Sequence, residues 1–258
     1  MKNKITIQEL STFLNNYLSI HQFKDYGPNG LQVEGKKAIS KIAYAVSADL
    51  ETIQEVVKLK ADVLIVHHGL FWRGQEKTLT GAFGKRVKLL MQHDISLIGH
   101  HLPLDAHPKA GNAASIAKKI NLTSLAPFGE PQKMPLGVKG VFKKPLSQEQ
   151  LKEKLAAILQ HEVLLAPPFN DPHKKIKSLG IITGGASGYW KLAKEQNLDA
   201  FLTGELREYD WYDAREADVA LFAGGHSATE QFGVQELKKI IEEKYQVKGI
   251  YISNNNPA

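Results

Sequence analysis

Val63-Leu64-Ile65-Val66-His67-His68-Gly69 runs four apolar residues into two imidazoles and a glycine. The apolar run suits a buried strand. Neighbouring side chains on a regular strand point to opposite faces, so two adjacent histidines share one site only where the strand breaks into a turn. Gly69 supplies that break. Neutral imidazole is the commonest biological ligand for a divalent transition metal, and the carboxyl end of a buried strand is where open α/β sheets place their ligands. An isolated His-His-Gly reads as a capped loop; the rest of the chain makes it a candidate site.

A chain of 258 residues, 43% hydrophobic and without an apolar run near membrane length, reads as a soluble globular protein that buries a core without staples. Met1-Lys2-Asn3-Lys4 leads straight into a helical pattern with no apolar segment and cleavage site behind it, which predicts a cytoplasmic protein with no membrane partner. The absence of cysteine excludes disulfides, thiol nucleophiles, thiolate zinc sites and iron-sulfur clusters, so any metal must be held by nitrogen and oxygen. A net charge of +6 and a pI near 9.2 admit an anionic partner such as a nucleotide or nucleic acid. The lysines are scattered along helices rather than massed, which describes a solvated surface.

Working outward, Ile42–Val46 reads as a strand, Leu50–Lys60 as a helix, Asp62–Val66 as the strand carrying the histidines, Gly84–Gln92 as a helix and Ile95–Gly99 as a third strand. Strand and helix alternating at this spacing form parallel sheets from crossover units. Ahead of them, Thr6 and Glu9 have capping-box spacing and open an amphipathic helix carrying Leu10, Phe13, Leu14, Tyr17 and Leu18. Asp25–Gly35, dense in turn formers, reads as a loop. After the third strand come His100-His101-Leu102-Pro103-Leu104-Asp105-Ala106-His107 and a helix over Asn112–Ile120. Ser124–Gly137, with Pro127, Pro131 and Pro135, reads as a linker. Val138–Phe142 then reads as a strand, and Ser147 with Gln150 opens a helix to about Gln160.

The second half repeats the first. At a constant offset of 137, Ile42–Val46 and Asp62–His68 align with Leu179–Thr183 and Asp199–Glu205. After a shorter connection, Asp94–Gly99 resembles Asp218–Ala223, and each is followed by His-x-x-x-acid: His101 with Asp105, His226 with Glu230. The pattern predicts two related α/β units whose strand ends face a common cleft.

Residues four apart on a helix share a face, so His226 and Glu230 can reach one ion. The set His67, His68, Asp105, His226 and Glu230, with His101 close by, exceeds what one tetrahedral ion needs. A carboxylate can bridge two divalent ions about 3.5–4 Å apart, a recurrent hydrolytic arrangement. Donors without sulfur suit zinc, manganese, iron or cobalt. His21, His93, His161 and His173 lie away from strand ends and read as surface or core, His100 as pointing away from His101, and His107 as rim. Glu205 holds the place in the second half that His68 holds in the first. Gly184-Gly185-Ala186-Ser187-Gly188 follows a strand; tight turning accounts for its glycines better than an anion nest, since the Walker Lys-Ser/Thr end is missing.

Asn29-Gly30-Leu31-Gln32-Val33, His67-His68-Gly69, His101-Leu102-Pro103-Leu104-Asp105-Ala106-His107-Pro108, Thr183-Gly184-Gly185-Ala186, Thr203-Gly204-Glu205 and Gly225-His226-Ser227-Ala228-Thr229-Glu230 together resemble, in order, the motifs of the NIF-three-like family, whose bacterial members are commonly called GTP cyclohydrolase 1 type 2. The resemblance covers nearly the full length. It implies two similar, intertwined α/β/α three-layer domains: 1–123, completed by 234–258, and 124–233. It further implies a ring-shaped homohexamer and a dinuclear metal site, two divalent ions per subunit, with ligands on His67, His68, Asp105, His226 and Glu230 and His101 adjacent. Pro135–Lys177 is too short for the additional domain some relatives carry. The function expected is a metal-dependent hydrolase of a purine nucleotide, with GTP opening at its imidazole ring and His101 or Glu205 shuttling protons. The alternatives are a hydrolase of another nucleotide or phosphoester, and a non-enzymatic metal-binding ring with a protein or nucleic-acid partner.

Overall fold

The computed structural model describes residues 5–75, 78–129 and 135–258. Within these the chain forms two compact units, one of residues 1–104 and 233–255, the other of 105–232 and 256–258.

The first unit begins with β1 (Ile5–Thr6) and helix α1 (Ile7–Tyr17). The Thr6 hydroxyl caps the Glu9 amide and the Glu9 carboxylate returns to the Thr6 amide, the capping box its spacing predicts. There follow β2 (Gly30–Val33), β3 (Ala38–Ile39, paired antiparallel with β1), β4 (Ile42–Ser47), α2 (Leu50–Leu59), β5 (Val63–His68), α3 (Gly81–Gln92) and β6 (Ser96–Gly99). Strands β4, β5 and β6 are parallel neighbours, and β2 lies antiparallel along β6.

Short helix α4 (Leu102–Asp105) leads to the second unit: α5 (Asn112–Lys119), β7 (Thr123–Phe128), β8 (Gly137–Leu146), α6 (Gln148–Leu159), β9 (Leu164–Ala166), β10 (Ile176–Ile181), α7 (Trp190–Glu195), β11 (Ala200–Thr203), α8 (Glu208–Glu216), β12 (Ala220–Ala223) and α9 (His226–Thr229). The sheet runs β7-β8-β10-β11-β12-β9, with β10, β11 and β12 parallel and β9 antiparallel to β12. Helix α10 (Gln231–Tyr245) and β13 (Gly249–Tyr251), parallel to β4, complete the first unit's sheet, ordered β13-β4-β5-β6-β2.

Both sheets are covered on both faces. Alternate residues of the parallel strands divide between two clusters, as the pleat requires. Ile42, Tyr44, Val63 and Ile65 pack with Leu10 and Leu14 of α1 and Leu237 and Ile241 of α10, whereas Ala43, Ala45, Leu64 and Val66 pack with Ile53 of α2 and Leu90 of α3. In the second unit Leu179, Ile181, Leu202 and Phe222 face α5 and α6, and Phe201 and Leu221 face α7 and α8. Each unit is thus an α/β/α sandwich.

The internal repeat is visible in the registers. Ile42 pairs with Val63 and Leu179 with Ala200, and both pairs stand 137 positions apart in sequence. The repeated aspartate does the same work twice. Asp62 Oδ2 accepts the Ser40 and Lys41 amides at 2.9 and 3.2 Å, while Lys36 Nζ reaches Oδ1 at 3.1 Å. Asp199 Oδ2 accepts the Lys177 and Ser178 amides at 3.0 and 2.9 Å, and Lys174 Nζ reaches Oδ1 at 3.2 Å.

Three expectations change. Asp25–Gly35 is not all loop, since Gly30–Val33 forms an edge strand on β6 that its Gly and Pro surroundings disguise. The linker placed at Ser124–Gly137 is largely the paired arms of β7 and β8; its residues 130–134, like Met1–Lys4, lie outside those described. Pro127 is tolerated because β7 is an edge strand. Helix α5, assigned by sequence to the first domain, packs through Ala113, Ile116 and Ala117 with Leu151, Leu155 and Phe232 of the second unit. Among the described residues no helix is long and apolar enough to cross a membrane.

Burial works to raise the Asp62 pKa, but the Ser40 hydrogen bonds and Lys36 outweigh it and hold the carboxyl below its ordinary value. A depressed carboxyl contributes stability that is full above the unfolded value near 4 and is lost as pH falls through the folded value. Asp62→Asn is therefore expected to cost about 1–2 kcal/mol in urea unfolding at pH 7, with the gap to the wild type closing below about pH 4.

Candidate metal centre

In the first unit His67 and His68 close β5, and His101 follows β6 by two residues. Ring centroids are 4.6 Å apart for His67 and His68, 5.0 Å for His67 and His101, and 5.7 Å for His68 and His101. One ligand atom from each lies within 4.8 Å of the others, so the trio could hold a metal ion. The strand continues through His68, still paired with Ser47, so the break expected at the histidine pair comes only after it, at Gly69.

An oxygen partner orients each ring. His67 Nδ1 donates to the His100 carbonyl at 3.0 Å, and His101 Nδ1 donates to Asp25 Oδ1 at 2.7 Å. Both partners are acceptors, so Nδ1 carries the proton and the ligand atom each ring would offer is Nε2. Ser47 Oγ lies 3.0 Å from His68 Nδ1. His67 is fully buried.

The supports of His101 come from the stretch read as a loop. Asp25 also accepts the Leu102 amide at 2.9 Å and the Asn29 side-chain amide at 2.9 Å, and Asn29 Oδ1 accepts the His101 amide at 2.8 Å. Burial would raise the Asp25 pKa; the hydrogen bond and charge of His101, with Asn29 and the Tyr26 amide, hold it below the ordinary value. Gln32 accepts the Leu70 amide at 2.9 Å and donates to the Pro28 carbonyl at 2.7 Å. A Cβ on Gly69 would lie 2.3 Å from the Gln32 amide, which is why a glycine ends the histidine strand. Trp72 donates to the Gly69 carbonyl and stands edge-on to His101, with centroids 5.1 Å apart. Sequence reasoning missed Asp25, Asn29 and Gln32 because their partners lie far along the chain; the Asn29–Val33 motif was the available signal.

His100 turns to Asn15 of α1, with Nε2 3.1 Å from Oδ1, and burial followed by the nearness of His67 pushes its pKa down to about 3. It is a neutral core histidine. His107 Nδ1 accepts the Lys109 and Ala110 amides and shapes a turn. His21, His93 and His173 are exposed, and the His161 ring packs against Gly225.

In the second unit His226 Nε2 is 3.2 Å from Glu230 Oε2 and Nδ1 is 2.6 Å from Glu205 Oε1. The Glu230 hydrogen bond first, then Glu205, push the His226 pKa up to about 9 against the effect of burial. Glu230 is buried, 3% exposed. Asp105 Oδ1 accepts from Asn112 Nδ2 at 2.8 Å and Thr183 Oγ1 at 3.3 Å. The glycines at 184 and 185 follow β10, and Gly184 holds φ +66°. A Cβ there would sit 2.1 Å from Glu230 Oε1. The Gly184 carbonyl accepts the Gly204 and Glu205 amides and the Thr203 hydroxyl, and its amide donates to Thr229 Oγ1. One backbone unit thereby ties the turns that carry Glu205, His226 and Glu230.

Fold and site define an α/β protein of two repeated three-layer units whose His, Asp and Glu groups could bind a metal ion. The chain belongs to the Duf34/NIF3 (NGG1p interacting factor 3) family, which it matches over residues 5–257. It is 40% identical over 250 residues to the GTP cyclohydrolase 1 type 2 homolog of Haemophilus influenzae, covering 97% of this chain and 98% of that one. To the protein of the same name from Pyrococcus abyssi it is 38% identical over 247 residues, with 96% and 97% covered. Among solved structures it resembles protein ybgI, of unknown function, with a TM-score of 0.89, 35% identity and 98% and 100% of the two chains covered. A Thermus thermophilus protein gives a TM-score of 0.89 at 28% identity, with the same coverage.

Gly184→Ala adds a methyl group against the Glu230 carboxylate at a backbone conformation that disfavours it. The expected result is a loss of about 1–3 kcal/mol of stability in urea unfolding, together with weaker retention of divalent metal by elemental analysis.

Proposed function

We propose that the chain is a metal-dependent hydrolase acting on a purine nucleotide, with opening of the GTP imidazole ring as its reaction. The observation that carries the reading is the donor set: oriented imidazoles and a buried carboxylate, free of sulfur. The name GTP cyclohydrolase 1 type 2 homolog, borne by relatives 35–40% identical over nearly the whole chain, supports the substrate.

The donors fit divalent cations such as zinc, manganese, iron or cobalt, and His67, His68, Asp105, His226 and Glu230 would hold two of them. Bound, the pair would supply Lewis acidity and lower the pKa of water at neutral pH. The chain's own residues orient and move protons. Asp25 holds the His101 ring at Nδ1, which suits His101 to pass a proton, and Glu205 both steadies His226 and serves as a second proton carrier. In the balanced reaction two waters add at C8 of the purine, both of its ring C–N bonds break, and C8 leaves as formate.

Metal-loaded protein incubated with GTP should therefore release formate and the ring-opened pyrimidine nucleotide, and His226→Ala should lower the rate at least about a hundredfold. Turnover of other nucleotides or phosphoesters without GTP would keep the class and replace the substrate. No turnover across such a panel, with metal retained, would replace the enzyme by a metal-holding scaffold for a protein or nucleic-acid partner. The reading carries with it a cytoplasmic homohexamer, whose light-scattering mass would be that of six 28.6 kDa chains.

A further inference from the structure

A cavity of about 600 Å³ in the second unit is walled by Phe128, Gly185, Tyr189, Lys191, Glu195 and Arg207, among others. None of these is needed to hold a metal. The cavity nonetheless adjoins the candidate centre: a Cβ on Gly185 would touch Glu205 Oε2 at 3.4 Å, and Glu205 is the partner of His226 Nδ1. Arg207 stands two residues beyond Glu205, its amide donating to Ser187 Oγ at 3.2 Å and its Nη1 to the Tyr209 hydroxyl at 2.8 Å. Lys191 lies over the Trp190 ring, 5.7 Å from the centroid. Two exposed cations, each carried by an anchored segment, share the wall with one carboxylate, Glu195, while Asp210 and Glu205 are the acids that act on Arg207. A Cβ on Gly188 would meet nothing within 4 Å, so the glycine-bearing turn leaves room for a ligand.

Resting on the nucleotide reading above, we propose that this cavity seats the phosphate chain of a nucleoside polyphosphate, with Lys191 and Arg207 pairing to its oxygens and the base end directed toward Glu205 and His226. Arginine's planar fork and the lysine ammonium suit phosphate oxygens. The size lies within the range of small-ligand pockets. A base finds little to stack on there, because Phe128 is buried in the core and Tyr189 alone offers an aromatic wall. The phosphate chain is the part of the substrate that matches the wall's charge.

The test is calorimetric titration of inorganic tripolyphosphate into the full chain and its variants. Any attraction of the probe to bound metal is common to all of them and cancels in the comparison. Lys191→Ala and Arg207→Ala are each expected to weaken binding about tenfold or more, Lys191→Arg to retain it, and Lys152→Ala on α6 to leave it unchanged. In kinetics the two alanine variants should raise KM for GTP by a similar factor with kcat nearly constant, and leave guanosine turnover as it was. Equal tripolyphosphate affinity in wild type and the alanine variants, or an equal loss in Lys152→Ala, overturns the proposal even where GTP is hydrolysed. Cavity-dependent tripolyphosphate binding without turnover of any nucleotide upholds the phosphate site and overturns the hydrolase reading instead.

Discussion

The register of β5 between its two parallel neighbours is the constraint from which the first unit's half of the site follows. With Val63 opposite Ile42 and Ser96, His68 falls opposite Ser47 and its ring nitrogen meets the serine hydroxyl. A slip of one residue would turn Leu64 and Val66 off the face they share with α2 and α3, and would carry His67 away from the His100 carbonyl. Burial of these aliphatic side chains, each contributing about 1.5–3 kcal/mol, makes such a slip prohibitive. Hydrophobic packing along the strand thus sets the orientation of the imidazoles at its end. The Asp62 carboxylate fastens the start of β4 to the start of β5, and Asp199 does the same for β10 and β11, so duplicated halves keep duplicated registers.

What distinguishes these histidines from packing residues is the layer behind them. A carbonyl, a carboxylate and a hydroxyl each take one Nδ1, and the carboxylate is itself held by the Tyr26 and Leu102 amides and Asn29. The carbonyl and the carboxylate hold His67 and His101 in one tautomer and one orientation before any ligand arrives, which lowers the reorganisation a bound ion would demand. The second unit solves the same problem with backbone. Gly184, in a conformation open to glycine, lets the Glu230 carboxylate approach and gathers the adjoining turns through its own carbonyl and amide. Gly184 combines this close approach with a left-handed turn, the tight turning its sequence context favoured over a Walker-type nest.

A good part of this was legible in the chain. The capping boxes at Thr6 and Ser147, the three strands of each half and the offset relating them are local or periodic signals, and they stand in the structure at the expected places. The candidate ligands His67, His68, Asp105, His226 and Glu230, with His101 beside them, could be picked out because strand-end histidines and His-x-x-x-acid spacing are local patterns with a chemical meaning. The β2 and β7 strands were not recognisable: each is an antiparallel edge whose partner is distant or bulged, and Gly, Pro and positive-φ Ser124 mask the alternation.

The sequence by itself determined the helices and the parallel strands, the repeat, and the chemical identity of the candidate ligands, because periodicity and capping act over a few residues. Only the tertiary structure decided which oxygen orients which ring, that Asp25 belongs with His101 and Gln32 with Gly69, and that α5 joins the second unit. Asp25 and His101 stand 76 positions apart, and nothing in a local stretch specifies a partner that only the folding of whole layers brings near.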